Sequence, residues 1–227
     1  MTREELVSEW YKSTDKWWEE NIKDQIHVFD NIIDRDYQDE IKDLLLGDTV
    51  DFPWYFIPDI TGYPEDDEYL SDMYEYKDQF QARAAFGHEM VRDGVLISKF
   101  NKRFMRLIKT SCSKVNKEHS KVVVGRSFLQ LPSGIDPGDP DSPHVDIGDK
   151  HFVVLYYVLD SDGDTIIYDQ QDYDATDASI IKGETELTIR KRVTPKQGRV
   201  VIFDGRFYHT AEQPRHNTRC ILNYGVR

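Results

Sequence analysis

Apolar positions follow two different rhythms along this chain, and the change falls near residue 119. Before it, helical spacing dominates. Residues 2 to 12 predict a short helix. The stretch "DRDYQDEIKDLLLGD" predicts a second, with Asp34 or Asp36 as its cap and Gly47 as its stop. "SKFNKRFMRLIKTSCSKV" predicts the clearest one, with Phe100, Phe104, Leu107 and Ile108 on one face and Ser98 as cap. Between these, "VDFPWYFIPDITGYPEDDEYL" is aromatic and broken by proline, which predicts strand and loop. Trp54, Tyr55 and Phe56 in it suit core packing or the wall of a groove.

Beyond residue 119 short β-rich runs take over: "KVVVGRSFLQL", "HFVVLYYVL", "TIIYD", "ETELTIRKRV", "GRVVIFD" and "TRCILNYGV". The turn-forming stretches "SGIDPGDPDSP", "DSDGD" and "TPKQG" separate them. No helix of useful length fits between these strands, so parallel crossovers are disfavoured and an antiparallel sandwich or barrel is expected. A jelly roll is one closed solution. The expected organisation is a single domain over 1–227, with a helix-rich part over 1–118 and a β core over 119–227.

Composition narrows the class. Hydrophobic residues make up 39% and charged residues 31%, as in ordinary globular chains. No stretch approaches the roughly 20 apolar residues that span a bilayer, and "MTREELVSEW" lacks a signal-peptide apolar region. A cytoplasmic protein is expected. Cys112 and Cys220 are too few for a disulfide framework or a thiolate metal site and read as reduced and structural. The net charge of −13 repels a phosphate backbone, so general nucleic-acid binding is not expected. The densest basic run, "RKRVTPKQGR", reads as a solvated strand and turn.

The chemistry concentrates around "DSPHVDIGDK". Side chains two apart on a strand share a face, whereas on a helix they diverge by about 200°. His144 and Asp146 therefore suit two ligands if the segment is extended, which Pro143 and Val145 favour. Of the seven histidines, His209 is the best third ligand, because it follows the strand "GRVVIFD" and a turn at Gly205. His27, His88, His119 and His216 have no spacing that recommends them, although His88 could face a pocket. Two imidazoles and one carboxylate with open positions mark non-haem Fe(II) oxygenases. Arg219, flanked by apolar strand residues, needs an anion, and its fork matches a carboxylate. On that strand Arg219, Ile221 and Asn223 share one face, and Cys220, Leu222 and Tyr224 the other.

These motifs resemble the 2-oxoglutarate/Fe(II)-dependent dioxygenase superfamily over about 121–227, particularly its prolyl-4-hydroxylase-like branch. "SPHVD" resembles the branch's first metal-binding strand. "HFVVLYYVLDSDGDTIIYD" resembles its hairpin with the element Gly163-Asp164-Thr165. "VTPKQGRVVIFDGRFYHTAEQP" resembles the segment presenting the second histidine. More loosely, the whole chain resembles oxygenases encoded by marine tailed phages, which would place it in a host cytoplasm. The resemblance implies a double-stranded β-helix (jelly roll), an α+β but mainly β fold, with N-terminal helices packed on one face. It implies His144, Asp146 and His209 as iron ligands and Arg219 on the distal carboxylate of 2-oxoglutarate, where many prolyl hydroxylases use lysine. Tyr156, Thr165 and Asn223 are the candidates to assist Arg219.

The implied cofactors are Fe(II), 2-oxoglutarate as co-substrate and dioxygen, with room for ascorbate. The implied reaction is hydroxylation of a peptidyl, for instance prolyl, or small-molecule substrate, releasing succinate and carbon dioxide. The alternatives are a non-catalytic jelly-roll binding protein and a zinc hydrolase using the same triad. His151, Asp149 and Arg206 suit either a layer behind the ligands or solvent. "DSDGDT" lacks the spacing of a calcium loop and reads as a hairpin turn. "LPSGIDPGDPDSP" suits a lid or an ordinary surface loop.

Overall fold

A computed structural model describes residues 3–49, 51–58, 60, 84–118, 120–132, 140–172, 179–180 and 186–227. His119, most of the acidic "DITGYPEDDEYL" run and residues 133–139 of the "SGIDPGDPDSP" loop lie outside them. Two antiparallel sheets face each other, as expected of a jelly roll. The larger runs β1 (Ile26–Asp30), β11 (Arg199–Asp204), β7 (Phe152–Tyr157), β13 (Arg219–Val226), β5 (Val122–Gln130), β3 (Ala85–Arg92) and β2 (Tyr55–Ile57), with β4 (Val95–Leu96) paired to β3. The smaller runs β10 (Ile189–Val193), β8 (Thr165–Gln171), β12 (Phe207–Ala211), β6 (His144–Val145) and β9 (Ser179–Ile180).

The central strands β7, β11 and β13 are apolar on both faces because both faces are covered. Phe152, Val154, Tyr156, Val200, Ile202, Leu222 and Tyr224 meet the helices. Those helices are α1 (Arg3–Asn21), α2 (Arg35–Leu46) and α3 (Met105–Lys114), which pack Trp18, Ile41, Leu44, Leu107 and Ile108 against the sheet. Each such large side chain, fully buried, stabilises the fold by about 1.5–3 kcal/mol. The alternate residues Val153, Leu155, Tyr157, Val201, Phe203 and Ile221 form a second cluster between the sheets, with Ile167, Val193 and Phe207 from the smaller one.

Local signals set most boundaries. The Asp34 carboxylate accepts the Tyr37 amide at 3.0 Å and starts α2, which stops at Gly47. The expected helix from residue 98 is interrupted. Ser98 caps a 3₁₀ turn, Lys99–Arg103, and α3 begins only after Phe104. The break follows from packing: Phe104 is fully buried, and Asn101 accepts a 3.0 Å hydrogen bond from the Tyr224 hydroxyl.

The first half also supplies β1 to β4, which extend both edges of the larger sheet. The acidic "DSDGD" turn does not close a hairpin, because β7 and β8 belong to different sheets and the segment crosses between them. Its carboxylates are structural: Asp162 accepts the amides of Arg215, His216 and Asn217, and Asp160 accepts that of Gln197. The three arginines of the basic run are paired in place, Arg190 with Asp169, Arg192 with Glu212 and Arg199 with Asp30.

Candidate active site

A cavity of ≈ 260 Å³ opens between the sheets. His144 and His209 stand directly opposite each other on β6 and β12, with ring centroids 4.9 Å apart. Asp146 follows two residues after His144 and returns to the same side. Its Oδ1 lies 3.7 Å from His144 Nε2 and its Oδ2 lies 3.4 Å from His209 Nε2. One ligand atom from each lies within 4.8 Å of the others.

The donor set fits a ferrous ion. His144 Nδ1 bonds to the Ser142 carbonyl at 3.0 Å and His209 Nδ1 to the Phe207 carbonyl at 3.1 Å. Each Nδ1 is thereby fixed as the protonated nitrogen, and each Nε2 lone pair is left for a metal. The three ligand atoms are close enough together that one ion could touch all of them after small side-chain adjustments.

Burial shapes the charges. Burial, then the charge of His209, hold His144 below the ordinary histidine range. For Asp146 burial acts upward, but the hydrogen bond and charge of His209 and the charge of His144 outweigh it and hold the carboxyl well below its ordinary range. Burial acts downward on His209, and its hydrogen bond to Asp146 reverses the direction, so its imidazole is raised.

Arg219 enters the same cavity from β13 and is 3% exposed. Nε donates to the Gly163 carbonyl at 3.1 Å, Nη1 to Gln130 Oε1 at 2.6 Å and Nη2 to Thr165 Oγ1 at 2.9 Å. Those bonds use three of the five guanidinium N–H groups and leave two. Among the described residues no carboxylate forms an ion pair with it. The close approach at Gly163 requires glycine: a Cβ there would sit 2.6 Å from the Glu212 carbonyl and 3.2 Å from Arg219 Cδ.

The candidate helpers separate. Thr165 touches Arg219. Asn223 instead donates from Nδ2 to Asp146 Oδ2 at 2.9 Å. Tyr156 is a correction: it faces the helices, and its hydroxyl is buried without a hydrogen-bond partner. The neighbouring Tyr157 takes the place foreseen for it, donating to Thr165 Oγ1 at 2.7 Å. Burial pushes the Tyr157 hydroxyl up to about 12, so it stays a proton donor. Gln130, Tyr157, Asp141 and Arg126 also line or brace the cavity and escaped the sequence reading. Strand parity puts Arg126, Phe128 and Gln130 on one face of β5, a signal usable only once the inward face is known. The buried Asp141 carboxylate accepts from Gln213 Nε2 at 3.1 and 3.2 Å and from Gln130 Nε2 at 3.4 Å.

Of the other expectations, His151 is fully buried near the triad, whereas Asp149 is exposed and paired with Arg227. Arg206 pairs with the buried Asp204 at 2.6 Å. His88 is held by the Pro53 carbonyl and the Ser98 hydroxyl and does not line the cavity. Trp54 packs into the helix-side core, while Tyr55 and Phe56 are exposed.

No protein-family profile and no curated protein matches the sequence. Solved structures do match. A 2OG-Fe(II) oxygenase family oxidoreductase from Burkholderia pseudomallei superimposes with a TM-score of 0.57 at 13% identity, covering 88% of this chain and 84% of that one. HygX from Streptomyces hygroscopicus, solved with nickel, 2-oxoglutarate and hygromycin B, gives 0.52 at 11% identity, covering 100% and 87%. The epimerase SnoN, solved with Fe3+, α-ketoglutarate and nogalamycin RO, gives 0.52 at 11% identity, covering 93% and 80%. The chain thus has the fold of the 2-oxoglutarate/Fe(II)-dependent oxygenases. In that fold it carries a His-Asp-His cluster of its own, His144, Asp146 and His209, with Arg219 in the same cavity.

Proposed function

We propose that this chain is a non-haem Fe(II)- and 2-oxoglutarate-dependent oxygenase that hydroxylates a small-molecule or peptidyl substrate. One observation carries the reading. A buried arginine without a carboxylate partner among the described residues shares a cavity with a His-Asp-His cluster. Three hydrogen bonds and the more distant charges of Asp141 and Asp164 support the buried guanidinium, and a directly bound carboxylate would offset the rest of its burial cost.

His144, Asp146 and His209 would hold the iron, leaving open positions for the keto acid and dioxygen. Bound there, iron supplies dioxygen activation coupled to conversion of 2-oxoglutarate into succinate and carbon dioxide. The chain's own part is placement. Arg219 offers its two remaining N–H groups to the distal carboxylate as a fork. Gly163, Gln130 and Thr165 keep that fork from rotating, and the Tyr157 hydroxyl fixes Thr165. Asn223 holds one oxygen of Asp146 and thereby turns the other towards the metal position. Phe203, Val153, Leu155 and Ile221 keep the cavity wall apolar and limit water.

The decisive experiment is anaerobic titration with Fe(II) and 2-oxoglutarate. A visible charge-transfer band, then succinate formation in air, is expected for the native chain, and neither for His144→Ala. Keto-acid turnover that persists in His144→Ala would overturn the reading. Absence of metal uptake would leave a binding module, and hydrolysis without keto acid a zinc enzyme.

A further inference from the structure

The ladder between β13 and β5 pairs Arg219 with Gln130, Ile221 with Phe128 and Asn223 with Arg126. All but Gln130 line the cavity. The wall therefore begins at one guanidinium, passes over two apolar side chains and ends at another. Four residues along a strand separate the ends by about 13 Å. The Asn223 step is also the one that reaches the triad, through Asp146.

Among the described residues Arg126, unlike Arg219, makes no side-chain hydrogen bond. Its one ion pair among them is a loose one, Nε to Glu89 Oε1 at 3.5 Å, and its charge also acts on His144 and Asp146. Glu89 is already claimed by Arg92, which donates to Glu89 Oε2 from Nε at 2.7 Å and again from Nη2. One carboxylate thus answers two guanidiniums, and the hydrogen bonds go to the other. The Arg126 side chain is 34% exposed. Across the ladder, the Oδ1 of Asn223 is buried without a hydrogen-bond partner. Cross-strand pairs have Cβ atoms about 5 Å apart, so free donors and a free acceptor stand side by side.

We propose that Arg126 anchors an anionic group of the primary substrate, a carboxylate or a phosphate, at the end of the cavity opposite Arg219. The proposal rests on the oxygenase reading, in which Arg219 is taken by the co-substrate. A guanidinium matches both oxyanions with paired N–H groups. Asn223 adds selectivity for a substrate whose anionic group has an N–H or O–H beside it, as in an amino acid or a hydroxy acid. Since the chain as a whole carries −13, such a substrate is held by this local cation and not by the overall field. Neutral analogues would cover Arg126 and leave it only the loose pair with Glu89, and binding would discriminate against them.

The test uses the full chain labelled with ¹³Cζ-arginine and loaded with Zn(II), a diamagnetic stand-in for iron, and 2-oxoglutarate. Acetate and methyl phosphate serve as probes. The Arg126 signal is assigned by its loss in Arg126→Lys. It is expected to shift with at least one probe by about threefold or more over the signal of exposed Arg215, which reports simple ionic screening. The probe with the larger effect identifies the anion. A response no greater than that of Arg215 with both probes would overturn the proposal. The Arg219 signal reports separately on co-substrate: if 2-oxoglutarate does not move it, the oxygenase reading fails, whatever Arg126 does.

Discussion

Asn223 and Asp146 are 77 residues apart in sequence and joined by a 2.9 Å hydrogen bond from Nδ2 to Oδ2. The bond ties the central strand of the larger sheet to the segment that follows β6 in the smaller one. Groups that orient metal ligands in this way typically change metal affinity by about 10–100-fold. Asn223→Leu is therefore expected to raise the Fe(II) dissociation constant by about that factor while the chain stays folded, as read by anaerobic titration and circular dichroism. An unchanged constant would mean that Asp146 is held without Asn223.

Arg219→Lys keeps the charge and loses the fork. Hydrogen bonds to charged groups contribute about 1.5–3 kcal/mol, so the KM for 2-oxoglutarate should rise by at least about tenfold, with a smaller change in kcat. Tyr157→Phe removes only the bond that steadies Thr165, and a rise of about 2–10-fold is expected. Steady-state succinate assays separate the two. Equal KM values for Arg219→Lys and the native chain would sink the assigned role.

Gly205 sits in the turn that delivers β12 and His209. A Cβ at this position would lie 2.1 Å from His151 Nε2, in a ring that is fully buried. The ring cannot swing into solvent, so the turn must move. Gly205→Ala should lower stability by about 1–3 kcal/mol, the usual range for overpacking, and weaken metal binding with it. Urea denaturation and Fe(II) titration measure the two effects.

His88 gives a pH signature outside the cavity. Burial holds its imidazole below the ordinary value of 6.5, partly opposed by the bond to the Pro53 carbonyl. As pH falls below 6.5, the unfolded chain takes up a proton that the folded chain resists. The stability contributed by neutral His88 is complete above that pH and is lost as pH falls towards the lower folded-state value. The native chain should lose urea resistance as pH falls below the ordinary histidine value of 6.5, and His88→Gln should lose less. Parallel losses in both would assign the acid sensitivity to other groups.

Several of these relationships could be read before any coordinates. The two-residue period of extended chain anticipated that His144 and Asp146 share a side, although Asp146 lies just past the end of β6. The parity of β13 separated Arg219, Ile221 and Asn223 from Cys220, Leu222 and Tyr224, as the two cores confirm. Asp34 and Gly47 marked the limits of α2. Other features had no local signature. β1 and β3 carry His27, Gly87, His88 and Glu89, so neither alternates cleanly, and they become strands because β11 and β5 offer them an edge. Tyr156 and Tyr157 stand side by side in a run that is apolar on both faces, and nothing local says which one points inward.

Short-range chemistry thus determined which residues were able to bind a cation and an anion: imidazole, carboxylate and guanidinium at strand-compatible spacings. Tertiary structure alone decided which of them meet. Pairing His144 with His209, or Arg219 with Gln130, depends on register between segments far apart in the chain. Register follows from burying two apolar faces at once, a condition of the whole sheet and not of any single strand.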